Sequence, residues 1–281
     1  MKLVRFGEQN KEKPGLIDPE GGLRDLSNHC PDFCYGAVSL NSLDEIRDLD
    51  YKKLPKGPKS FRLGSCLADV PNFFCIGLNY AKHARETGVE PPTEPIIFSK
   101  ATSSIAGPYD DVIIPKGSKK TDWEVELGVI IGEDCLHVPE KEALSVVSGY
   151  CVVNDVSERS FQFDHGGQWI KGKSAPTFGP IGPFLVTTDE IPNPQNLNLS
   201  LKLNGSTVQN SHTSDMIFSV QQIIAHLTQF MELRAGDIIA TGTPEGVGIG
   251  MKPPTFLQSG DIMEVEIEHL GIQKQEVVDF S

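Results

Sequence analysis

No stretch of this 281-residue chain gathers positive charge: 25 Lys plus Arg stand against 38 Asp plus Glu, a formal balance of −13. An acidic surface of that kind repels phosphate backbones, and the densest basic stretch, Lys52, Lys53, Lys56 and Lys59, is broken by prolines. A nucleic-acid partner is therefore excluded. Cysteine is scarce and scattered, at positions 30, 34, 66, 75, 135 and 151, and only Cys30 and Cys34 lie near each other, without a CxxC. Zinc-ribbon and redox motifs are thus not supported. Cys75 in FFCIG and Cys151 in GYCVVN sit in apolar runs and read as small buried hydrophobes. Reduced thiols fit an intracellular protein. No window approaches the roughly 18 apolar residues of a membrane span, and MKLVRFGEQNKEK has no apolar h-region. The expectation is a soluble, cytoplasmic chain with no membrane partner.

Three motif classes are also missing. There is no GxSxG, hence no nucleophile elbow. The glycine-rich GTPEGVGIG follows a strand-like DIIAT, but Pro253 and Pro254 stand where a phosphate-binding helix would have to run. GQWIKGKS matches the P-loop pattern literally, yet no apolar strand precedes Gly167 and Pro176 and Gly179 follow at once. No helix N-terminus is then available to phosphate.

Length supports a large core, with roughly three quarters of the unfolded surface buried. Residues 1–68 differ in composition from the rest: LVRF and GLIDPEGGLRDLS read as strands around a Pro-Glu-Gly-Gly turn, followed by a short helix at SLDEIRDL. We expect a small N-terminal hairpin domain over 1–68, ending after the Pro/Lys/Gly-rich YKKLPKGPKS, and a second domain over 69–281. In the second, strand-length apolar stretches recur, from Phe73 to Ile76 through Ile262 to Glu268. Helical periodicity is confined to Ser219–Met231, Lys141–Val147 and the short NYAKHARE. Without regular strand–helix alternation, a doubly wound or TIM-type sheet is excluded and a strand-rich α+β fold is expected.

In TDWEVELGVIIG, strand alternation places Glu124 and Glu126 on one face. Two such carboxylates suit a hard cation such as Mg²⁺. The same spacing also describes an ordinary solvated face, as in Glu264, Glu266 and Glu268 of MEVEIEHL. Asp155 ends the apolar strand GYCVVND, where a buried acid is costly unless paired or metal-bound. It is equally placed to cap the segment that follows. His83 and Glu86 are three apart, adjacent if their segment is helical, and so form either an exposed pair or an oriented base. Arg159, Gln162, Lys171 and Lys173 fall in the polar, glycine-broken SERSFQFDHGGQWIKGKS, a flexible or substrate-contacting loop. His165, His212 and His226 have no partner at ligand spacing and are read as structural.

In order along residues 72–281, IGLNYAKHARETG, DWEVELGVIIG, GYCVVNDVSERSFQ, GGQWIKGKS with TFGPIGP, GDIIATGTPEGVG and SGDIMEVEIEHLG resemble the fumarylacetoacetate hydrolase family. Residues 1–68 resemble the small leading domain of its bacterial members. The resemblance implies a β-rich α+β roll with few short helices, commonly homodimeric. It implies Glu124, Glu126 and Asp155 as ligands of Mg²⁺ or Mn²⁺, His83 and Glu86 as a water-activating pair on a lid segment, and Lys173 near the reacting carbonyl. Arg159, Gln162 and Thr243 match positions that contact substrate oxygens and carboxylate. Many relatives carry an acidic residue where this chain has Pro176, which bears on the loop around Lys173.

The implied activity is hydrolysis of a C–C bond in a 2,4-dioxo acid, either an acylpyruvate or a 2,4-diketo-3-deoxy sugar acid, to a pyruvate-type product and a carboxylic acid. Oxaloacetate decarboxylation, ureidoglycolate cleavage and isomerisation of an unsaturated dicarboxylate use the same chemistry without water attack. A metabolite-binding module without catalysis is a more distant alternative.

Overall fold

A computed structural model describes residues 1–281, and strands dominate it. The leading residues form β1 (Lys2–Phe6), β2 (Lys13–Ile17) and β3 (Leu23–Asp25). The turn between β2 and β3 is organised by Asp18, whose carboxylate accepts from Gly22 N at 2.6 Å and Arg24 Nε at 2.7 Å. Helix α1 (Leu40–Arg47) begins at Ser39, whose hydroxyl accepts from Ser42 N, and it buries Leu43 and Ile46.

Then follow β4 (Phe73–Gly77), α2 (Ala81–Glu86), β5 (Ile96–Lys100), β6 (Ile105–Ala106), β7 (Val112–Ile114), β8 (Thr121–Asp122) and β9 (Val125–Ile131). Next are β10 (Val147–Asn154), β11 (Ser157–Glu158), α3 (Arg159–Phe163), α4 (Ile170–Lys173), β12 (Gly179–Thr187), β13 (Asn198–Leu203) and β14 (Ser206–His212). Helix α5 (Val220–Phe230), β15 (Ile238–Ala240), β16 (Ile262–Ile267) and β17 (Gly271–Asp279) complete the chain.

The larger sheet runs β3-β2-β1-β12-β10-β9-β15-β4-β5, with β6 beside β12, and a second runs β14-β13-β16-β17-β7. A small ribbon pairs β11 with β8. Residues 1–68 meet the rest through β1, which pairs antiparallel with β12, and through a core in which Leu3, Leu26, Phe33 and Leu43 join Cys75, Cys151, Val153 and Ile238.

Every residue of β9 is buried because the strand is covered on both faces. Val125, Leu127, Val129 and Ile131 point to the larger core, shared with the second sheet and α5, while Ile130 points to the core shared with residues 1–68. The acidic positions Glu124 and Glu126 fall on the latter parity, at the start of the strand.

Helix α5 matches its expected span. Val220, Ile223, Ile224 and Leu227 form its buried stripe, and Ser219 and Gln222 close a reciprocal cap at its start. The segment Lys141–Val147, expected as a helix by periodicity, is instead a 3₁₀ helix over Glu140–Val146. Its two buried residues, Ala143 and Val146, are three apart, the period of that tighter turn. Strands β14 and β17 carry no clear apolar alternation, because polar residues such as Gln209, Gln273 and Gln275 interrupt it, although these three are buried. No helix is long and apolar enough to cross a membrane.

Candidate metal centre

The antiparallel pairing of β9 with β10 sets Val153 opposite Glu126 and Asn154 opposite Val125. One step further, Asp155 N donates to the Glu124 carbonyl at 2.9 Å. The register thereby delivers three acids to one place. Glu124, Glu126 and Asp155 are all buried, and each contributes an oxygen within 4.8 Å of the others.

Cations surround this triad unevenly. Lys173, at the end of α4, donates to Glu124 Oε2 and to Asp155 Oδ2, each at 2.7 Å. Lys100, the last residue of β5, donates to Asp155 Oδ1 at 2.5 Å and to the Val156 carbonyl at 3.1 Å. Arg159 Nη1 lies 2.7 Å from Glu124 Oε1, and its Nε donates to Asp122 at 2.8 Å. Glu126 has no side-chain cation and accepts one hydrogen bond, from Gly242 N at 2.7 Å. That amide approaches closely because residue 242 is glycine at φ +101, where a Cβ would press on Asn79.

The charges respond accordingly. Burial raises the Glu124 carboxyl, but Lys173 and Arg159 outweigh it and hold the group below the ordinary range. Burial, together with the Asp155 and Glu124 charges, pushes Glu126 well up. Burial opposes the Lys173 charge, yet Asp155 and Glu124 prevail and keep it protonated above its usual range. Arg159 follows the same balance with Asp122 and Glu124. An all-oxygen donor set in which one carboxylate lacks a counter-charge fits a hard divalent cation, and these residues fit that group.

Helix α2 presents His83 and Glu86 to the same cavity as Glu124 and Glu126. His83 Nδ1 lies 2.9 Å from Glu86 Oε1, and the same carboxylate accepts from Gly246 N at 3.1 Å. The helical reading of NYAKHARE is thus realised, and the pair is largely buried rather than exposed. His83, Glu86, Glu124, Glu126, Arg159 and Lys173 all line one cavity of about 280 Å³.

Gln162 and Thr243 line it as well. Gln162 accepts from Arg159 Nη1 at 3.1 Å through Oε1, which leaves its amide nitrogen to donate. The Thr243 hydroxyl donates to the Val125 carbonyl at 3.0 Å and accepts from Gln209 at 2.9 Å, so its proton is already placed. Arg159 Nη2 is buried without a partner. Lys171 does not join the cavity; its ammonium donates to the His165 carbonyl.

Two further contributors, Lys100 and Asp122, carry little signal in the sequence. Lys100 closes the apolar IIFSK and offered no spacing signal. Asp122 precedes the paired glutamates; fully buried, it holds Arg159 and accepts from Gly248 N at 2.6 Å and Ile249 N at 3.0 Å. Its position at the head of TDWEVEL was the only hint.

Comparison with known proteins agrees with the fold. The fumarylacetoacetate (FAA) hydrolase C-terminal family matches residues 72–278. A Burkholderia lata protein named provisionally as a hydrolase is 52% identical over 280 residues, 99% of each chain. The solved fumarylacetoacetate hydrolase of Exiguobacterium antarcticum superposes over 100% of both chains with TM-score 0.87 and 34% identity. The maleylpyruvate hydrolase of Sphingobium sp. SYK-6, solved with manganese(II) and pyruvate, does so over 100% of both chains with TM-score 0.78 and 25% identity.

Proposed function

The chain belongs to the fumarylacetoacetate hydrolase family, and on that premise we propose that it is a divalent-cation-dependent hydrolase cleaving a C–C bond in a 2,4-dioxo acid. The observation that carries this reading is the single cavity lined both by Glu124 and Glu126 of the acidic triad and by the His83–Glu86 pair. In the reaction R–CO–CH₂–CO–COO⁻ plus water, the C3–C4 bond breaks, a hydroxyl is added to C4 and a proton to C3. The products are R–COOH and pyruvate.

Glu124, Glu126 and Asp155 would hold Mg²⁺ or Mn²⁺. When bound, the cation supplies Lewis-acid polarisation of the 2-oxo-acid oxygens. His83, fixed through Nδ1 by Glu86, takes a proton from water at its other nitrogen, Nε2. The free Nη2 of Arg159 and the amide nitrogen of Gln162 donate to substrate oxygens. Lys173, held charged between Glu124 and Asp155, stabilises negative charge developing beside it. Thr243 shapes the wall with its hydroxyl fixed. The manganese and pyruvate in the related maleylpyruvate hydrolase support both the cation class and the product class.

The test is pyruvate release from an acylpyruvate in the presence of Mg²⁺ or Mn²⁺, with a stoichiometric carboxylic acid. His83→Ala should lose it. An unimpaired His83→Ala enzyme would remove water activation and favour decarboxylase, lyase or isomerase chemistry. Absence of pyruvate from every 2,4-dioxo acid tried, with either metal, would overturn the proposal.

A further inference from the structure

The charged residues lining the cavity are Glu86, Glu124, Glu126, Arg159 and Lys173. The rest of the lining is largely aromatic and aliphatic, with Phe98, Trp169, Phe163, Val89 and Ile249, and it begins beside Lys173, whose ammonium lies 5.1 Å from the Phe98 ring centroid. The Trp169 ring meets Phe98 edge-on at 5.3 Å between centroids and Phe163 at 6.5 Å, so the three rings form one continuous surface. Phe163 is 48% exposed and Val89 is 45% exposed, both at the rim. Apolar side chains left open at the mouth of a cavity gain from a ligand that covers them.

Each cation near the cavity is already engaged. Lys173 serves Glu124 and Asp155, and Arg159 serves Asp122 and Glu124. The remaining donor of Arg159, Nη2, is buried and is the one assigned above to substrate oxygens. Lys82, on α2, is 3.4 Å from Glu245, and Lys171 is bound to the His165 carbonyl. Neither Lys82, Lys171 nor the neighbouring Arg85 lines the cavity. A second carboxylate at the far end of a substrate would be taken from water to face Trp169 and Phe163, while Lys173, the cation beside Phe98, is already committed to Glu124 and Asp155, a costly transfer.

We propose that the substrate half remote from the acidic triad is uncharged and ends in an apolar group, seated on Phe98, Trp169 and Phe163, rather than carrying a second carboxylate. This deepens the reading of the site as a 2,4-dioxo acid hydrolase and rests on it.

Three compounds with the same 2,4-dioxo acid head and different tails test it: phenyl, propyl and 2-carboxyethyl. With the Mn²⁺-loaded enzyme, kcat/KM for the phenyl and propyl compounds should exceed that of the carboxylate compound by about 30-fold or more. Phe163→Arg, at an exposed rim position, should narrow that gap about tenfold by improving the carboxylate compound. Binding to His83→Ala, followed through Trp169 fluorescence with Trp169→Phe as the control, should give the same order of affinity without turnover. Equal or better kcat/KM, or tighter binding, for the carboxylate tail would overturn the proposal. If no compound is cleaved, the hydrolase reading fails, and the fluorescence affinities still decide the tail preference.

Discussion

Lys100 donates to Asp155 at 2.5 Å with both side chains fully shielded from solvent. Removing one partner of such a pair leaves an uncompensated buried charge, an effect of about 3–5 kcal/mol. Lys100→Met should therefore lower the stability of the metal-free protein by about that amount. Divalent cation should restore more of the loss in the variant than it adds to the parent, because Asp155 then has a replacement counter-charge. Thermal unfolding with and without Mn²⁺ measures both. An unchanged midpoint in Lys100→Met would show that Asp155 is carried by Lys173 alone.

Glu126 is the member of the triad that makes no ion pair, and the charges of Asp155 and Glu124 beside it outweigh that of Lys173. Glu126→Gln relieves that repulsion, so the metal-free variant should be at least as stable as the parent. It should also lose the response to metal. A cation at 100 times its dissociation constant stabilises by about 2.7 kcal/mol, and chelation by EDTA should remove that gain in the parent but find none to remove in Glu126→Gln. Calorimetric titration with Mn²⁺ gives the direct reading. Undiminished affinity in the variant would move the cation away from Glu126.

Because His83 touches Glu86 through Nδ1, the two substitutions should differ in degree. His83→Ala removes the proton acceptor and should lower kcat about 10²–10⁴-fold. Glu86→Gln keeps a hydrogen-bonding side chain but no charge, and should fall between that variant and the parent. Neither should change Mn²⁺ affinity greatly, since neither side chain belongs to the triad. A kcat for Glu86→Gln below that of His83→Ala would contradict the assigned order of roles.

Much of this site is legible in the linear chain because strand chemistry is local. Glu124 and Glu126 share a face by alternation, and His83 and Glu86 meet through one helical turn. What periodicity cannot supply is the partner across the sheet. Lys100 reaches Asp155 from a strand 55 positions away, and Asp122 binds the 248–249 backbone from 126 positions away. Buried glutamines broke the patterning of β14 and β17 for a related reason. Gln209 serves Val125 N and Thr243, and Gln273 serves the Val152, Pro180 and Gly182 carbonyls, so polarity there marks tertiary hydrogen bonding rather than exposure.

Glu12 lies where residues 1–68 meet the rest of the chain, accepting from Arg62 Nη1 at 2.7 Å, with Arg62 in turn bound to Asp110. Burial raises the Glu12 carboxyl, but the Arg62 hydrogen bond, its own backbone amide and the Arg5 and Arg62 charges outweigh it and hold the group below its usual range. The unfolded chain then binds a proton at higher pH than the folded one. The stabilisation is fully present above the unfolded value of about 4.3 and is lost as pH falls through the folded value. The stability difference between the parent and Glu12→Gln, from urea unfolding at a series of pH values, should be constant from neutrality down to about pH 5.5 and shrink below about pH 4.5. A difference that widens on acidification would reverse the sign and reject the assignment.

Gly246 ties Glu86 to Trp123, the neighbour of Glu124, through a single residue. Its amide donates to both oxygens of Glu86 at 3.1 Å, and its carbonyl accepts from Trp123 Nε1 at 3.0 Å. Its φ of +97 lies in the region that disfavours a side chain, and a Cβ there would collide with the Val208 carbonyl. Gly246→Ala must therefore shift the loop, and Glu86 loses the donor that fixes it. His83 is oriented through Glu86, so the displacement reaches the water-activating nitrogen without touching the triad. A misplacement of about 1 Å costs roughly 10²-fold, and kcat for the 2,4-dioxo acid should fall by about that factor at unchanged Mn²⁺ affinity. Loss of metal binding in the same variant would point to collapse of the 242–250 loop, including the Gly242 amide at Glu126. Full kcat would show that Glu86 holds His83 without help from this peptide.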